Sequence, residues 1–359
     1  MSLAPGVLPA PPRLGALFPR LRLPFVSLGR FPTRVERLAI DAPSELWIKR
    51  DDEAGELYGG NKVRKLELLL GDALARRKKR VVTLGALGSH HALATTIYAR
   101  KLGLEAVLVL YPQPLDPHVI DDLLLDHAFG AELRRAPAVA LAPAVALAEI
   151  ARAPRATVLV PPGGSSALGT IGHIEGALEL ASQVREGLLP EPDLLVVAFG
   201  TGGTAAGLAF GLALAGLRTR VVAVRVVEAI TTRALLRELL NGARRLLGRR
   251  GAPVAELPRR ALERIELDAH ELGAGYGHPT DAGRAAKEVF AGAGITLETT
   301  YTGKAAASLL GLARRGAAKR ILYWHTFSSV DLAPRLKDVS PESLPVAFHG
   351  VLRAAGRLS

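Results

Sequence analysis

The sequence predicts a two-domain α/β protein built on parallel-rich twisted sheets flanked by helices. Apolar, β-branched runs of strand length alternate with longer helical patterns along the chain, and this alternation is the mark of parallel βαβ construction. A length of 359 residues gives room for two units at about 100–200 residues each. Hydrophobic residues make up 49% and charged residues 22%, the balance of a chain that folds around apolar cores.

Strands are expected at 46–50, 81–84, 106–110, 156–160, 194–199, 221–227 and 320–324. Helices are expected at 65–77, 92–102, 170–186, 204–215, 281–291 and 304–315. Residues 63–162 read as one small βαβ unit. Residues 1–62 plus 163–359 read as a larger one, because the strand at 46–50 runs straight into a Gly-rich turn that leads toward the rest. The arm up to about residue 40 is Pro-rich and is expected to be extended and partly disordered.

Composition excludes several functions. The chain has no cysteine, which removes disulfides, thiolate metal sites and cysteine nucleophiles, and fits the cytoplasm. Prolines at 5, 9, 11, 12, 19 and 24 interrupt the start, so no signal peptide is expected. The longest apolar stretch, 136–148, is too short to span a bilayer and contains Pro143. The net charge is +12, but the basic residues are spread out and not interleaved with aromatics. Scattered charge of this kind reads as a solvated surface and not as a nucleic-acid track.

Three turns carry candidate chemistry. The first is Gly59-Gly60-Asn61-Lys62-Val63-Arg64-Lys65, where a strand ends and a helix begins with Asn61 as the expected N-cap. Lys62, Arg64 and Lys65 then sit in the first helical turn, where the helix dipole disfavours cations and lowers an ammonium pKa. A neutral lysine there is a nucleophile toward an aldehyde; a merely solvated basic helix start is the competing reading.

The second turn is Phe199-Gly200-Thr201-Gly202-Gly203-Thr204-Ala205, between an apolar strand and an Ala/Leu/Gly helix. Backbone N–H groups at such a helix start form an anion site. The turn also meets the loose dinucleotide pattern, but Glu228 comes later than the usual ribose-binding acid. A dehydrogenase therefore stays open as an alternative. The third turn, Gly85-Ala86-Leu87-Gly88-Ser89-His90-His91, places Ser89 at a helix start, suited to a substrate carboxylate. Adjacent histidines rarely converge on an ion, and no third ligand lies beside them in sequence, so no metal is expected.

Lys49-Arg50-Asp51-Asp52 followed by Gly59 to Glu67 closely resembles the D-cysteine desulfhydrase and 1-aminocyclopropane-1-carboxylate deaminase family. The resemblance covers roughly residues 49–326 in ordered blocks. It implies the tryptophan synthase β-like architecture (fold type II), homodimers, and pyridoxal 5'-phosphate held as a Schiff base on Lys62. It implies further that Gly200, Thr201, Gly202, Gly203 and Thr204 hold the phosphate. Ser89, His90, His91 and Tyr276 would face a small amino-acid substrate, with Ser89, Tyr276 and Tyr301 joining Lys62 in catalysis. Tyr301 would lie beside the cofactor ring, His90 at its phenolic oxygen, and Thr326 near its pyridine nitrogen.

Two segments depart from the family. His90 replaces its asparagine, and Phe327-Ser328 replaces Gly-Gly after Thr326. Thr302 and Thr326 match desulfhydrases, where deaminases carry glutamate and leucine. The resemblance therefore implies an α,β-elimination of the D-cysteine desulfhydrase type. Another pyridoxal-phosphate reaction (deaminase, racemase or β-replacement) and a non-catalytic cofactor-binding protein are the alternatives.

Overall fold

The computed structural model describes residues 6–228, 231–337 and 339–358. In chain order its strands are β1 (Val7–Leu8), β2 (Phe25–Val26), β3 (Val35–Arg37), β4 (Glu45–Lys49), β5 (Arg80–Ala86), β6 (Glu105–Tyr111), β7 (Glu132–Arg135), β8 (Thr157–Val160), β9 (Leu194–Phe199), β10 (Arg220–Arg225), β11 (Ile265–Asp268) and β12 (Arg320–Trp324). They make a short β1–β2 ribbon, a six-stranded sheet in the order β11-β10-β9-β12-β4-β3 and a four-stranded sheet β7-β6-β5-β8. Every pairing in the two larger sheets is parallel except β3 with β4.

The apolar runs are continuous because their strands are covered on both faces. Along β9, Leu195, Val197 and Phe199 enter one core while Leu194 and Val196 enter the opposite one. The same split recurs on β10, where Val221 and Ala223 face one way and Val222 and Val224 the other. In the smaller sheet, Val82, Leu84, Val107 and Val109 share one face with Ala142 and Ala146. A two-residue period read across a buried sheet accounts for all of these.

The helices that matter for the site are α1 (Pro12–Leu17), α2 (Lys62–Ala75), α3 (His90–Lys101), α4 (Pro117–Ala128), α5 (Ala142–Arg152), α6 (Ala167–Arg185) and α7 (Gly203–Leu214). Helix α6 packs against both α2 and α7. Far along the chain lies α8 (Thr302–Arg314). The C-terminal stretch folds back on the smaller sheet's core, where Leu344, Phe348 and Leu352 join Leu108, Leu110 and Leu123.

The N-terminal arm differs from expectation. From residue 6 onward it is packed, with Leu14, Leu21 and Leu23 buried in the larger core. Glu175 of α6 accepts from the backbone N–H groups of Arg13 and Leu14 at 2.7 and 2.9 Å. A carboxylate thus satisfies donors that the start of a helix leaves open.

A buried ion network ties α2 to the larger sheet. Arg64 donates to both Asp51 oxygens at 2.7 and 2.8 Å and to Glu179 at 2.9 Å. Lys49 donates to Glu179 at 2.6 Å, and Trp324 Nε1 donates to Asp51 at 2.8 Å. Two cations face two carboxylates, so the charges balance, which is the condition for burying them.

Candidate active site

A cavity of about 470 Å³ opens at the carboxyl ends of both sheets, the usual place for a ligand in parallel α/β proteins. Its size falls within the ~300–1,000 Å³ of small-molecule sites. Turns after β5, β6, β9, β10 and β12 line it. Lys62, Ser89, His90, His91, Gly200, Thr201, Gly202, Thr204, Tyr276, Tyr301 and Thr326 all face it, while Gly203 lies just behind the wall.

The lysine turn is held in place by backbone contacts. Gly60 has φ +83°, and a Cβ there would meet the Thr326 carbonyl oxygen at 2.6 Å. A Cβ on Gly59 would meet the Asp52 carbonyl oxygen at 1.8 Å. Only glycines fit where Gly59 meets the Asp52 carbonyl and Gly60 meets the 326–327 backbone. Asn61 does not act as the expected N-cap. Its backbone is already helical and its side chain makes no cap bond. The amide instead accepts from Lys62 Nζ at 2.7 Å and donates to Thr204 Oγ1 at 2.9 Å.

Burial lowers Lys62 to about 8, with Glu298 opposing the shift. The physical cause is thus desolvation, with the helix dipole not needed to explain it. The three neighbouring cations have different fates. Arg64 is consumed by the ion network, and Lys65 turns inward to the Gly163 carbonyl at 2.9 Å and Ser165 Oγ at 3.2 Å.

The β9–α7 turn forms a cradle for an anion. Gly202, with φ +84°, is the N-cap of α7 and offers no side-chain cap, so the first-turn N–H groups beyond Gly203 are left for a ligand or solvent. Ser165 Oγ lies 2.6 Å from Thr201 Oγ1 and accepts from Gly203 N at 3.1 Å. Burial holds Lys65 well below its ordinary value, a penalty that an anion in the cavity would relieve. Ser165 and Lys65 are functional candidates that the sequence reading missed. Their signal is the run Gly163-Gly164-Ser165-Ser166, placed after β8 just as the Gly200 turn follows β9.

Ser89 caps α3 as expected, accepting from Ala92 N at 3.3 Å. His91 Nε2 lies 3.2 Å from Thr83 Oγ1. His90 Nε2 is directed at His118 Nε2, 2.8 Å away, and burial holds both His90 and His91 well below the usual imidazole range.

On the opposite wall Tyr301 donates to the Tyr276 hydroxyl at 2.9 Å. Lys304 Nζ fixes the Tyr276 turn by donating to the carbonyls of Leu272 and Gly275 at 2.8 and 2.9 Å. Glu298 fixes Tyr301, accepting from the backbone N–H groups of Thr300, Tyr301 and Thr302 at 2.6, 3.0 and 2.6 Å. Glu298 lines the cavity too, a residue to which the sequence analysis gives no role. Burial raises both tyrosines above the ordinary phenol value. Thr302 bonds Glu298. Ser328 Oγ accepts from Gly59 N at 2.8 Å, so this departure from Gly-Gly braces the lysine turn. Phe327 packs its ring 5.0 Å from His90 and 5.8 Å from His118.

A buried lysine amine, a glycine-rich anion cradle and a wall of aromatic hydroxyls fit a phosphorylated aldehyde. Comparison with known proteins agrees. Residues 26–326 match the family model described as pyridoxal-phosphate dependent enzyme. A Pyrococcus horikoshii protein provisionally named a 1-aminocyclopropane-1-carboxylate deaminase is 36% identical, covering 84% of this chain and 93% of its own length. The nocardicin C-9' epimerase of Nocardia uniformis is 34% identical, covering 90% and 98%, and the D-cysteine desulfhydrase of Klebsiella pneumoniae is 35% identical, covering 82% and 88%. The crystal structure of an ACC deaminase homologue superposes with a TM-score of 0.74 at 36% identity, covering 88% of this chain and 94% of the other. The dehydrogenase alternative falls with these matches. The chain belongs to the pyridoxal-phosphate dependent enzymes, is of the ACC deaminase and D-cysteine desulfhydrase type, and uses pyridoxal 5'-phosphate.

Proposed function

We propose that this enzyme eliminates a β-substituent from a small amino acid of the D-cysteine kind, with Lys62 as its cofactor lysine. The observation that carries the reading is convergence. The lysine turn, the Gly200–Thr204 cradle, the Ser89 helix start and the Tyr276–Tyr301 pair meet at one cavity. Pyridoxal phosphate, when bound, supplies the electron sink that makes an α-proton removable.

The chain's own groups do the rest. The N–H groups of the β9–α7 turn, with Thr201 and Thr204, hold the phosphate. The first turn of α3, beginning at Ser89, receives the substrate carboxylate. His91 and Tyr276 line the cavity where the substrate would sit, and His90, in the same wall, would hold the phenolic oxygen of the cofactor. Lys62 Nζ takes the α-proton, and its lowered pKa makes the neutral amine available near pH 8. Tyr301, kept protonated by burial, would hand a proton to the departing group once its O–H turns away from Tyr276, which can then donate to it in turn.

Thr326, lining the cavity, would offer the ring nitrogen a neutral hydroxyl, where a carboxylate would hold that nitrogen in its protonated form. That choice favours loss of a β-leaving group over chemistry requiring a fully protonated ring. Thr302 supports the same reading, since the ring-opening enzymes of the family carry glutamate there. We place the boundary of the small unit at 63–162, with 1–62 plus 163–359 as the large one except that Leu344, Phe348 and Leu352 pack on the small unit's core, and assign the protein to the cytoplasm as a homodimer. The absence of cysteine and the dimeric habit of the family support these assignments. No described helix is long and apolar enough to cross a membrane.

The test is release of pyruvate, ammonia and sulfide from D-cysteine, with L-cysteine, β-chloroalanine, D-serine and the cyclopropane substrate beside it. Efficient ring opening, or turnover of none of the β-substituted compounds by cofactor-loaded enzyme, contradicts the reading. The similarity to an epimerase favours one second reading, inversion at the α-carbon. Chiral analysis of unreacted substrate separates the two.

A further inference from the structure

His90, His118 and Asp122 come together from two helices at the cavity wall. His90 is the first residue of α3; His118 and Asp122 are four apart on α4 and so share one face. Their atoms nearest one another are His90 Nε2, His118 Nε2 and Asp122 Oδ2. The separations are 2.8 Å between the imidazoles, 3.5 Å from Asp122 to His90 and 3.8 Å from Asp122 to His118. Bonds of about 2.0–2.1 Å to a tetrahedral ion set ligand atoms about 3.3 Å apart, and these three distances straddle that value.

The protein alone leaves the group incompletely bonded. Two Nε2 atoms at 2.8 Å share one proton, so one ring donates and the other accepts. Asp122 is 3% exposed, yet its Oδ2 has no hydrogen-bond partner. Its ion pairs among the described residues are to these two histidines alone. One turn further along α4, Asp126 is fully buried and both of its carboxylate oxygens also lack partners. Buried carboxylates without a cation are costly. An ion would complete all three ligand atoms.

We propose that His90, His118 and Asp122 bind a divalent first-row transition-metal ion, zinc or its like, with at least one coordination position left for water. Two imidazoles and one carboxylate suit such ions, and three protein ligands with an open position is the pattern of a non-structural site. Phe327 packs on both imidazoles and restricts their rotation. Both departures from the family at this wall, His90 and Phe327, thus serve one site. The inference depends on neither the substrate nor the reaction.

The test uses cofactor-loaded enzyme stripped with a chelator and desalted, then titrated with zinc and, separately, with cobalt. One zinc per chain is expected, with cobalt giving visible bands at longer wavelength than the cofactor. His118→Ala is the main variant, because that side chain is 45% exposed and its loss spares the core. Zinc affinity in this variant should fall by more than the ~10–100-fold that loss of an outer-shell partner costs, and Asp122→Asn should do the same. Absence of stoichiometric zinc on the wild type, or wild-type affinity in His118→Ala, overturns the proposal.

Discussion

Asn61 donates to the Thr204 hydroxyl at 2.9 Å, joining the residue before Lys62 to the first turn of α7. The same amide accepts from Lys62 Nζ at 2.7 Å. One side chain therefore links the proposed cofactor lysine to the proposed phosphate cradle. Asn61→Ala removes two hydrogen bonds worth about 0.5–1.5 kcal/mol each. The cofactor Kd is expected to rise roughly tenfold, measured by equilibrium dialysis of apo-enzyme, with folding intact by circular dichroism.

The Lys62 value of about 8 predicts how apo-enzyme takes up its cofactor. Only the neutral amine attacks an aldehyde, so the loading rate should climb about tenfold from pH 7 to 9 and then level off. A lysine near its ordinary 10.5 would keep climbing through pH 10. Stopped-flow absorbance of cofactor binding across this range distinguishes the two.

Glu179 predicts an acid limb of stability. Burial pushes its carboxyl up, but Arg64 and Lys49 outweigh this and hold it at about 2, against an ordinary 4.5. A depressed carboxyl contributes its stability fully above 4.5 and loses it as pH falls toward 2, on the order of 3 kcal/mol here. Glu179→Gln leaves two buried cations short of a partner and should cost about 3–5 kcal/mol at pH 7. The gap between wild type and variant in urea unfolding should close as pH falls from 5 to 2.5. A gap independent of pH contradicts the assignment.

Much of this site is legible in the sequence because strand-to-helix turns are. Leu194–Phe199 and Arg320–Trp324 are strands at the expected bounds, since their apolar runs are buried on both faces. The glycines at 59, 60 and 202 mark places where only a residue without Cβ fits. What tertiary contact decides is harder to read. Asn61 looks like a cap in sequence, yet Thr204, 143 residues away, draws its side chain elsewhere. Ser165 joins the cradle across 36 residues from Thr201. No helix is expected from the sequence at Pro117–Ala128, although Pro117 occupies a position at the helix start that tolerates it. Without that helix, His118 and Asp122 have no reason to meet His90.

Gly60→Ala tests the lysine turn itself. Its φ of +83° and the 2.6 Å approach of the Thr326 carbonyl leave no space for a methyl group. The left-handed backbone alone costs about 1–2 kcal/mol, and the clash adds to it. The variant is expected to unfold at lower urea and to lose cofactor colour, because the displaced turn carries Lys62. A variant with wild-type colour and stability would show that the turn yields easily.

Borohydride reduction with peptide mapping tests most directly whether Lys62 carries the cofactor. Reduction of the yellow enzyme should fix the cofactor covalently to the peptide containing Lys62 and bleach the visible band. Lys62→Ala should fold, remain colourless after loading, and show no turnover. Recovery of the reduced adduct on Lys65, Lys304 or any other lysine, or a yellow and active Lys62→Ala enzyme, would contradict it.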